Sequence, residues 1–171
     1  MKRLIGLTGH KGAGKDSVAE ILARHGYERM AFADPLKQIA AAIGWDGSKE
    51  DRGHCLACGM LQGRRLLQVL GTEGVRENIA DDAWLIAAER TLARHELAVI
   101  TDVRFLNEAA WVREHGGTIW RVVRPNHHGD DHPSEREQGA IRADHHVHNE
   151  GTLSDLELAV VAELSAASQL F

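Results

Sequence analysis

The 171 residues suffice for one α/β core with a small appended segment and are too few for two independent domains. A formal charge of -5 argues against a surface that coats nucleic acid, and no run approaches the roughly 18 apolar residues of a membrane span. Two cysteines, Cys55 and Cys58, are too few for a disulfide framework, and Met1-Lys2-Arg3 leads into a strand rather than a signal sequence, so a reducing, cytoplasmic setting is expected.

Leu4-Ile5-Gly6-Leu7-Thr8 is an apolar run that predicts a buried strand. A glycine-punctuated loop follows, and Val18, Ile21 and Leu22 then recur at helical spacing. Gly9-x-x-x-x-Gly14-Lys15 between that strand and helix has the spacing of a P-loop, in which glycines let consecutive backbone N-H groups surround phosphate oxygens. His10, Lys11, Gly12, Ala13 and Gly14 are the expected cradle, the helix adds its positive end, and Lys15 is the mobile cation for the β and γ phosphates. The residue after the lysine usually carries a hydroxyl that holds Mg²⁺. Here Asp16 stands in that place, so either Asp16 directly or the Ser17 hydroxyl is the candidate metal ligand.

Gly26 to Pro35 predicts a short second strand running into a turn, then a helix through Ile43 with Asp34 as N-cap and Pro35 in its first turn. Gly44 to Gly63 has no apolar period and reads as a long surface connection able to move as a flap. From Leu61 to about Arg76 the pattern is helical. At roughly 100° per residue, Leu66, Val69 and Leu70 fall on one face while Arg64, Gln68 and Gly71 fall on the other. From the residues alone, a solvated face is the commoner fate of a pair such as Arg64 and Gln68. Asp81-Asp82 is expected to cap the next helix, through about Arg94, with Leu85, Ile86 and Leu92 as its apolar anchors.

Leu97-Ala98-Val99-Ile100-Thr101-Asp102 predicts a central parallel strand that delivers a carboxylate to the C-terminal edge of the sheet. Asp102 there suits Mg²⁺ or its water shell, and capping a helix that starts near Phe105 is a compatible second role. Arg104 lies two residues on. That helix runs through His115 to Gly116-Gly117, and Thr118 to Val123 makes a fourth strand. Arg124 to about Gly139 is polar and Pro-bearing, in the position of a lid, with Arg121, Arg124, Arg136 and Arg142 as candidate cations. His145 to Asn149 is a short last strand, Thr152 with Asp155 forms a capping box, and Leu153, Leu156, Val160 and Leu164 stripe the closing helix. Cys55-x-x-Cys58 has zinc-knuckle spacing without a second cysteine pair. His127, His128, His132, His145, His146 and His148 lie far along the chain, so a polar loop with two free thiols is the plainer reading.

Together these segments resemble the phage-type deoxynucleoside monophosphate kinases, within the P-loop nucleoside monophosphate kinase group. The resemblance runs through Gly14-Lys15-Asp16, Phe32-Ala33-Asp34-Pro35-Leu36-Lys37, and Leu67-Gln68-x-Leu70-Gly71-Thr72-Glu73-x-x-Arg76 with Trp84. It continues in Thr101-Asp102-Val103-Arg104-Phe105-x-Asn107-Glu108-Ala109, Arg124-Pro125, His132-x-Ser134-Glu135 and Asn149-x-Gly151-Thr152-Leu153. It departs at the tract His54 to Gly59 and at Gly63, where the family often has proline.

The resemblance implies one α/β domain over 1–171 of the three-layer P-loop kinase type: an open parallel five-stranded sheet flanked by helices. A helical monophosphate-binding insert at about 34–80 and a lid at about 124–142 belong to that picture. It further implies ATP and Mg²⁺, and γ-phosphoryl transfer to a deoxynucleoside 5′-monophosphate. Carried onto this sequence, Asp34, Lys37, Arg64, Gln68 and Arg76 contact the acceptor together with Asp102 and Arg104. Asn149 and Gly151 border the adenine. Lys15, Asp16, Arg104, Arg124 and Arg136 serve catalysis, and Asp16, Ser17 and Asp102 face the metal. No nucleic-acid or membrane partner is implied, and pairing as a homodimer is left open. Dephospho-coenzyme A kinase, another small-molecule P-loop kinase, and a nucleotide-binding protein without catalysis are the alternative readings.

Overall fold

A computed structural model describes the backbone of residues 3–47, 63–125 and 133–168, and the side chains of these except 133–136 and 167–168. The expected flap is therefore described only to Gly47, and Cys55, Cys58, His127, His128 and His132 lie outside the described residues. The chain divides into two compact units, Met1–Met30 with Leu92–Phe171, and the continuous stretch Ala31–Thr91.

The first unit holds the sheet. β1 (Arg3–Thr8), β2 (Glu28–Met30), β3 (Leu97–Ile100), β4 (Thr118–Val123) and β5 (His145–His148) pair in the order β2-β3-β1-β4-β5, every pair parallel. β1 is central, with Gly6 opposite Ile100 of β3 and Thr8 opposite Arg121 of β4. Alternation along the strands sends Ile5, Leu7, Trp120, Val122 and Val147 to one face. There they pack on Val18, Ile21 and Leu22 of α1 (Lys15–Arg24) and on Leu156 and Val160 of α7 (Leu153–Ser168). The other face meets α5 (Leu106–Glu114): a Cβ on Gly6 would lie 2.9 Å from both Ile119 Cδ1 and Val103 Cγ2 and 3.2 Å from Val112, so the helix side packs close. The expected three layers, with an open parallel five-stranded sheet in the middle, are the observed architecture. A parallel sheet needs both faces covered, and the near-continuous apolar reading of these strands follows from that.

In the second unit, α2 (Asp34–Ala42) and α3 (Gly63–Gln68) gather around Ala40, Trp45 and Leu66, with Leu67 and Leu70 against them, and α4 (Ala83–Leu92) follows later in the chain. Three local expectations change. Asp34 is the first residue of α2, not its cap: Ala33 takes that position, and the Asp34 carboxylate accepts the Ala31 N-H at 2.9 Å from inside the first turn. The helix expected through Arg76 gives way at Val69 to a π-helical segment, Val69–Arg76. Its i→i+5 bonds turn the chain through a smaller angle per residue than an α-helix, so the ideal face assignment fails beyond that point. Gly71, expected on the polar face, is buried with its Cβ position 2.7 Å from Leu36 Cδ2, and its carbonyl accepts Trp84 Nε1-H at 3.1 Å. Finally, Ile86 is exposed while Trp84, Leu85, Ala88 and Leu92 are buried, because those four share the stripe from which Ile86 is rotated away. No helix among the described residues is long and apolar enough to cross a membrane.

Candidate active site

The loop after β1 leaves the C-terminal edge of the central strand, where α/β sheets place their ligands. Gly9, Gly12 and Gly14 hold φ of 134°, 79° and 103°, the backbone states in which successive N-H groups can line a concavity. At Gly9 a side chain is barred twice over, since a Cβ would also stand 2.3 Å from the Val122 carbonyl oxygen. Gly14 occupies the N-cap of α1, and no side chain caps that helix, so the orphan N-H groups of its first turn have no local acceptor from a cap residue. This arrangement suits an anion.

Four side chains tie to the carbonyls of this loop. Lys15 Nζ donates to Gly9 O and, at 2.9 Å, to His10 O. Asn149 Nδ2 donates to Ala13 O at 2.8 Å, Gln138 Nε2 to Gly9 O at 3.1 Å, and Arg124 to Gly12 O at 3.4 Å. Arg124 and Asn149 thus each reach a carbonyl of the loop between Gly9 and Lys15. Gln138 was not foreseen.

Asp16 lies exposed in the first turn of α1 and pairs with Arg29 of β2. Asp102 follows β3 by two residues, and the neighbouring Val103 N-H bonds Leu7 O at 3.1 Å, which holds this segment alongside the end of β1. Asp102 does not cap α5. Phe105 stands at the N-cap, and the buried Glu108 carboxylate reaches back to the N-H groups of Arg104 at 2.7 Å and Phe105 at 3.1 Å. That half of a capping box was visible as Glu three residues after the cap. It fixes the backbone of Arg104 while leaving its side chain exposed.

Among the described residues no three His, Cys, Asp or Glu side chains gather as a metal cage. Asp16, Ser17 and Asp102 are hard oxygen donors, a set that fits Mg²⁺, which takes one or two carboxylates and keeps water and phosphate oxygens for the rest. On β5, His145 meets Glu163 at 2.6 Å, and beyond it His148 meets Glu150 at 3.1 Å.

In the expected lid, Arg136 falls on α6 (Pro133–Ala140). Arg121 has a different office from the cation role expected of it. Its guanidinium donates to Gln138 O at 3.0 Å and Ile141 O at 2.6 Å, taking up carbonyls at the C-terminal end of α6, and burial lowers its pKa. Gly151 precedes the capping box of α7, where Asp155 Oδ2 accepts from Thr152 N at 2.8 Å and Thr152 Oγ1 at 2.7 Å. Those bonds hold the Asp155 carboxyl below its ordinary range.

The second unit carries the expected acceptor residues. Lys37 Nζ donates to Asp34 at 2.9 Å within α2, and Arg64 and Gln68 lie one turn apart on α3, both half-buried. The Arg76 side chain is only 7% exposed, and its guanidinium donates to Asp81 O at 3.2 Å and stands 3.5 Å from the Asp81 carboxylate. Arg65, which the sequence did not single out, pairs with Glu73 at 2.6 Å.

Comparison with known proteins gives these features a family. The chain is similar to a putative deoxynucleotide monophosphate kinase of Acanthamoeba polyphaga mimivirus, 32% identical over 195 residues that cover 98% of each chain. A deoxynucleoside-5′-monophosphate kinase of Escherichia phage T5 is 41% identical over 69 residues, 39% of this chain and 26% of the phage protein. Among solved structures, a shikimate kinase from Aquifex aeolicus shares the fold with a TM-score of 0.60 at 15% identity, covering 96% of this chain and 98% of its own. A dephospho-CoA kinase from Campylobacter jejuni does so at 0.56 and 13%, covering 96% and 97%. TT1252 from Thermus thermophilus does so at 0.55 and 23%, with the same coverage. These three show the fold alone. The family model for deoxynucleotide monophosphate kinase matches residues 60–160, more than half of the sequence, and with the mimivirus relative matched end to end this chain belongs to the deoxynucleotide monophosphate kinase family.

Proposed function

We propose that this phosphotransferase moves the γ-phosphoryl group of ATP to a deoxynucleoside 5′-monophosphate, giving ADP and the deoxynucleoside diphosphate. The single observation that carries the reading is the uncapped α1 N-terminus behind a loop with three positive-φ glycines, Lys15 at its first helical position, in a chain of this family.

In the transfer, an oxygen of the acceptor phosphate forms a bond to the γ phosphorus as the bond to the β,γ-bridging oxygen breaks, and the electron pair leaves with ADP. The attacking phosphate oxygen is already anionic and the bridging oxygen departs as part of the ADP phosphate anion, so no general base is needed. The protein's task is to hold donor and acceptor in line and to balance the charge on the equatorial oxygens. In this reading the amides from His10 to Ser17 bind the β and γ phosphates. Lys15 leaves its two carbonyls to meet them, and Arg104, Arg124 and Arg136 offset charge on the transferring group. Asn149 and Gly151 border the adenine. Asp16, Ser17 and Asp102 would hold Mg²⁺, which when bound neutralises phosphate charge. Asp34, Lys37, Arg64, Gln68 and Arg76 of the Ala31–Thr91 unit, with Asp102 and Arg104, take the acceptor. In this reading the monophosphate-binding insert of the kinase domain spans about 34–80 and the lid about 124–142.

Incubation of the purified protein with ATP, Mg²⁺ and each of several deoxynucleoside and ribonucleoside monophosphates, followed by chromatography, tests the reading. A deoxynucleoside diphosphate and an equal amount of ADP are expected. ADP without any diphosphate product would refute it.

A further inference from the structure

We propose that Gln138 is a positioning residue for Lys15: its amide keeps the Gly9 carbonyl bonded so that the Lys15 ammonium is free to leave that oxygen for a bound nucleotide's phosphates. The inference rests on the phosphate-binding role of Lys15 given above.

Gly9 O is shared. It accepts from Lys15 Nζ and, at 3.1 Å, from Gln138 Nε2, and both Gly9 and Gln138 are buried, the latter 2% exposed. The amide can serve only in this orientation, because exchanging its ends would set Oε1 against a carbonyl oxygen. The Arg121 bonds to Gln138 O and Ile141 O pin the end of α6 to β4, which places the Gln138 side chain. Its Oε1 is buried without a hydrogen-bond partner among the described residues. Burying that atom costs free energy, so the position is poorly explained by stability and better explained by what the Nε2 bond does.

A buried carbonyl stripped of every donor is strongly disfavoured. Among the described residues, Gly9 O has two donors in the free protein. When Lys15 swings to the phosphates one remains, and that one is Gln138. Without it, nucleotide binding would have to strip the carbonyl. Gln138 therefore acts on the difference between the free and bound states, through another residue and without touching the substrate.

Two measurements on the full chain test this. In steady-state kinetics, Gln138→Leu is expected to raise the KM for ATP roughly tenfold, the cost of one unsatisfied buried carbonyl, with kcat and the acceptor KM within about twofold. Thermal unfolding without nucleotide supplies a readout independent of activity. Lys15→Ala and Gln138→Leu each leave Gly9 O one donor, and the double variant leaves none. The double variant should therefore melt about 2–4 °C below the sum of the two single shifts. Additive shifts, or a fall in kcat with the ATP KM unchanged, would overturn the proposal. Gln138→Glu, which keeps the shape and loses the donor at neutral pH, is read in the same way if the leucine variant does not fold. An unsubstituted protein that binds no ATP would instead overturn the function, while the thermal cycle would still report on the shared carbonyl.

Discussion

Asn149 Nδ2 donates to Ala13 O at 2.8 Å, joining the turn after β5 to the phosphate loop 136 residues earlier in the chain. The Asn149 N-H meanwhile bonds Val123 O at 2.8 Å, so the turn is anchored to β4 as well. The loop is therefore braced from the far edge of the sheet, and its shape depends on residues remote in sequence.

Removing that brace should act on the donor nucleotide. For Asn149→Ala we expect the ATP KM to rise about tenfold, the loss of one hydrogen bond to a partly buried carbonyl, with the acceptor KM little changed. Steady-state kinetics with each substrate varied in turn would show this, and an unchanged ATP KM would count against the brace.

Gly9→Ala should destabilise the fold itself. A φ of 134° and a Cβ 2.3 Å from the Val122 oxygen leave no relaxed position for a methyl group. A loss of about 2–4 kcal/mol in denaturant unfolding is expected, at the upper end for backbone strain with a clash.

Lys15→Met removes the one cation at the first helical position of α1 and gives the two carbonyls nothing to release. Turnover should fall by at least about 10²-fold with the far-ultraviolet circular dichroism retained. A variant with rates like those of the unsubstituted protein would remove Lys15 from the chemistry.

Arg64 and Gln68 stand in the other compact unit, on α3. Arg64→Ala is expected to raise the KM for the monophosphate by about tenfold or more, as for loss of a charge-assisted hydrogen bond, and to leave the ATP KM within about twofold. Equal weakening of both substrates would take Arg64 out of acceptor binding.

The capping box of α7 gives a pH dependence. The Thr152 side-chain bond, and then its backbone bond, lower the folded pKa of Asp155 below the ordinary carboxyl value. A lowered carboxyl pKa stabilises the folded state above the unfolded value, and the contribution is lost as the pH falls through the folded value. Fraying at the start of α7 is therefore expected only below about pH 4. Acid titration monitored by backbone amide exchange at Leu156 and its neighbours would detect it. Asp155→Asn should remove this pH dependence, and an identical acid profile in that variant would contradict the assignment.

The strands, the phosphate loop and the closing capping box were legible in the sequence because each is set locally, by an apolar run, a glycine spacing or a short polar pair. What the sequence concealed was decided by partners far along the chain. Gly71 looked polar-facing until the π-helical segment and the Leu36 and Trp84 contacts buried it. Arg121 looked like a free lid cation, yet its position on β4 beside the end of α6 gives it two carbonyls to hold. Asp102 was a plausible helix cap, but Phe105 takes the N-cap position and Glu108, in the first turn of α5, accepts the Arg104 and Phe105 N-H groups. Gln138 and Arg29 carry no local pattern at all, and only the tertiary fold shows what they touch.

Transfer from ATP labelled in its γ-phosphoryl group tests the central claim most directly. With a deoxynucleoside monophosphate and Mg²⁺ present, the label should appear in the β position of the deoxynucleoside diphosphate, and Lys15→Met should abolish its appearance. Label found only in inorganic phosphate, or released at the same rate with no acceptor added, would contradict the account.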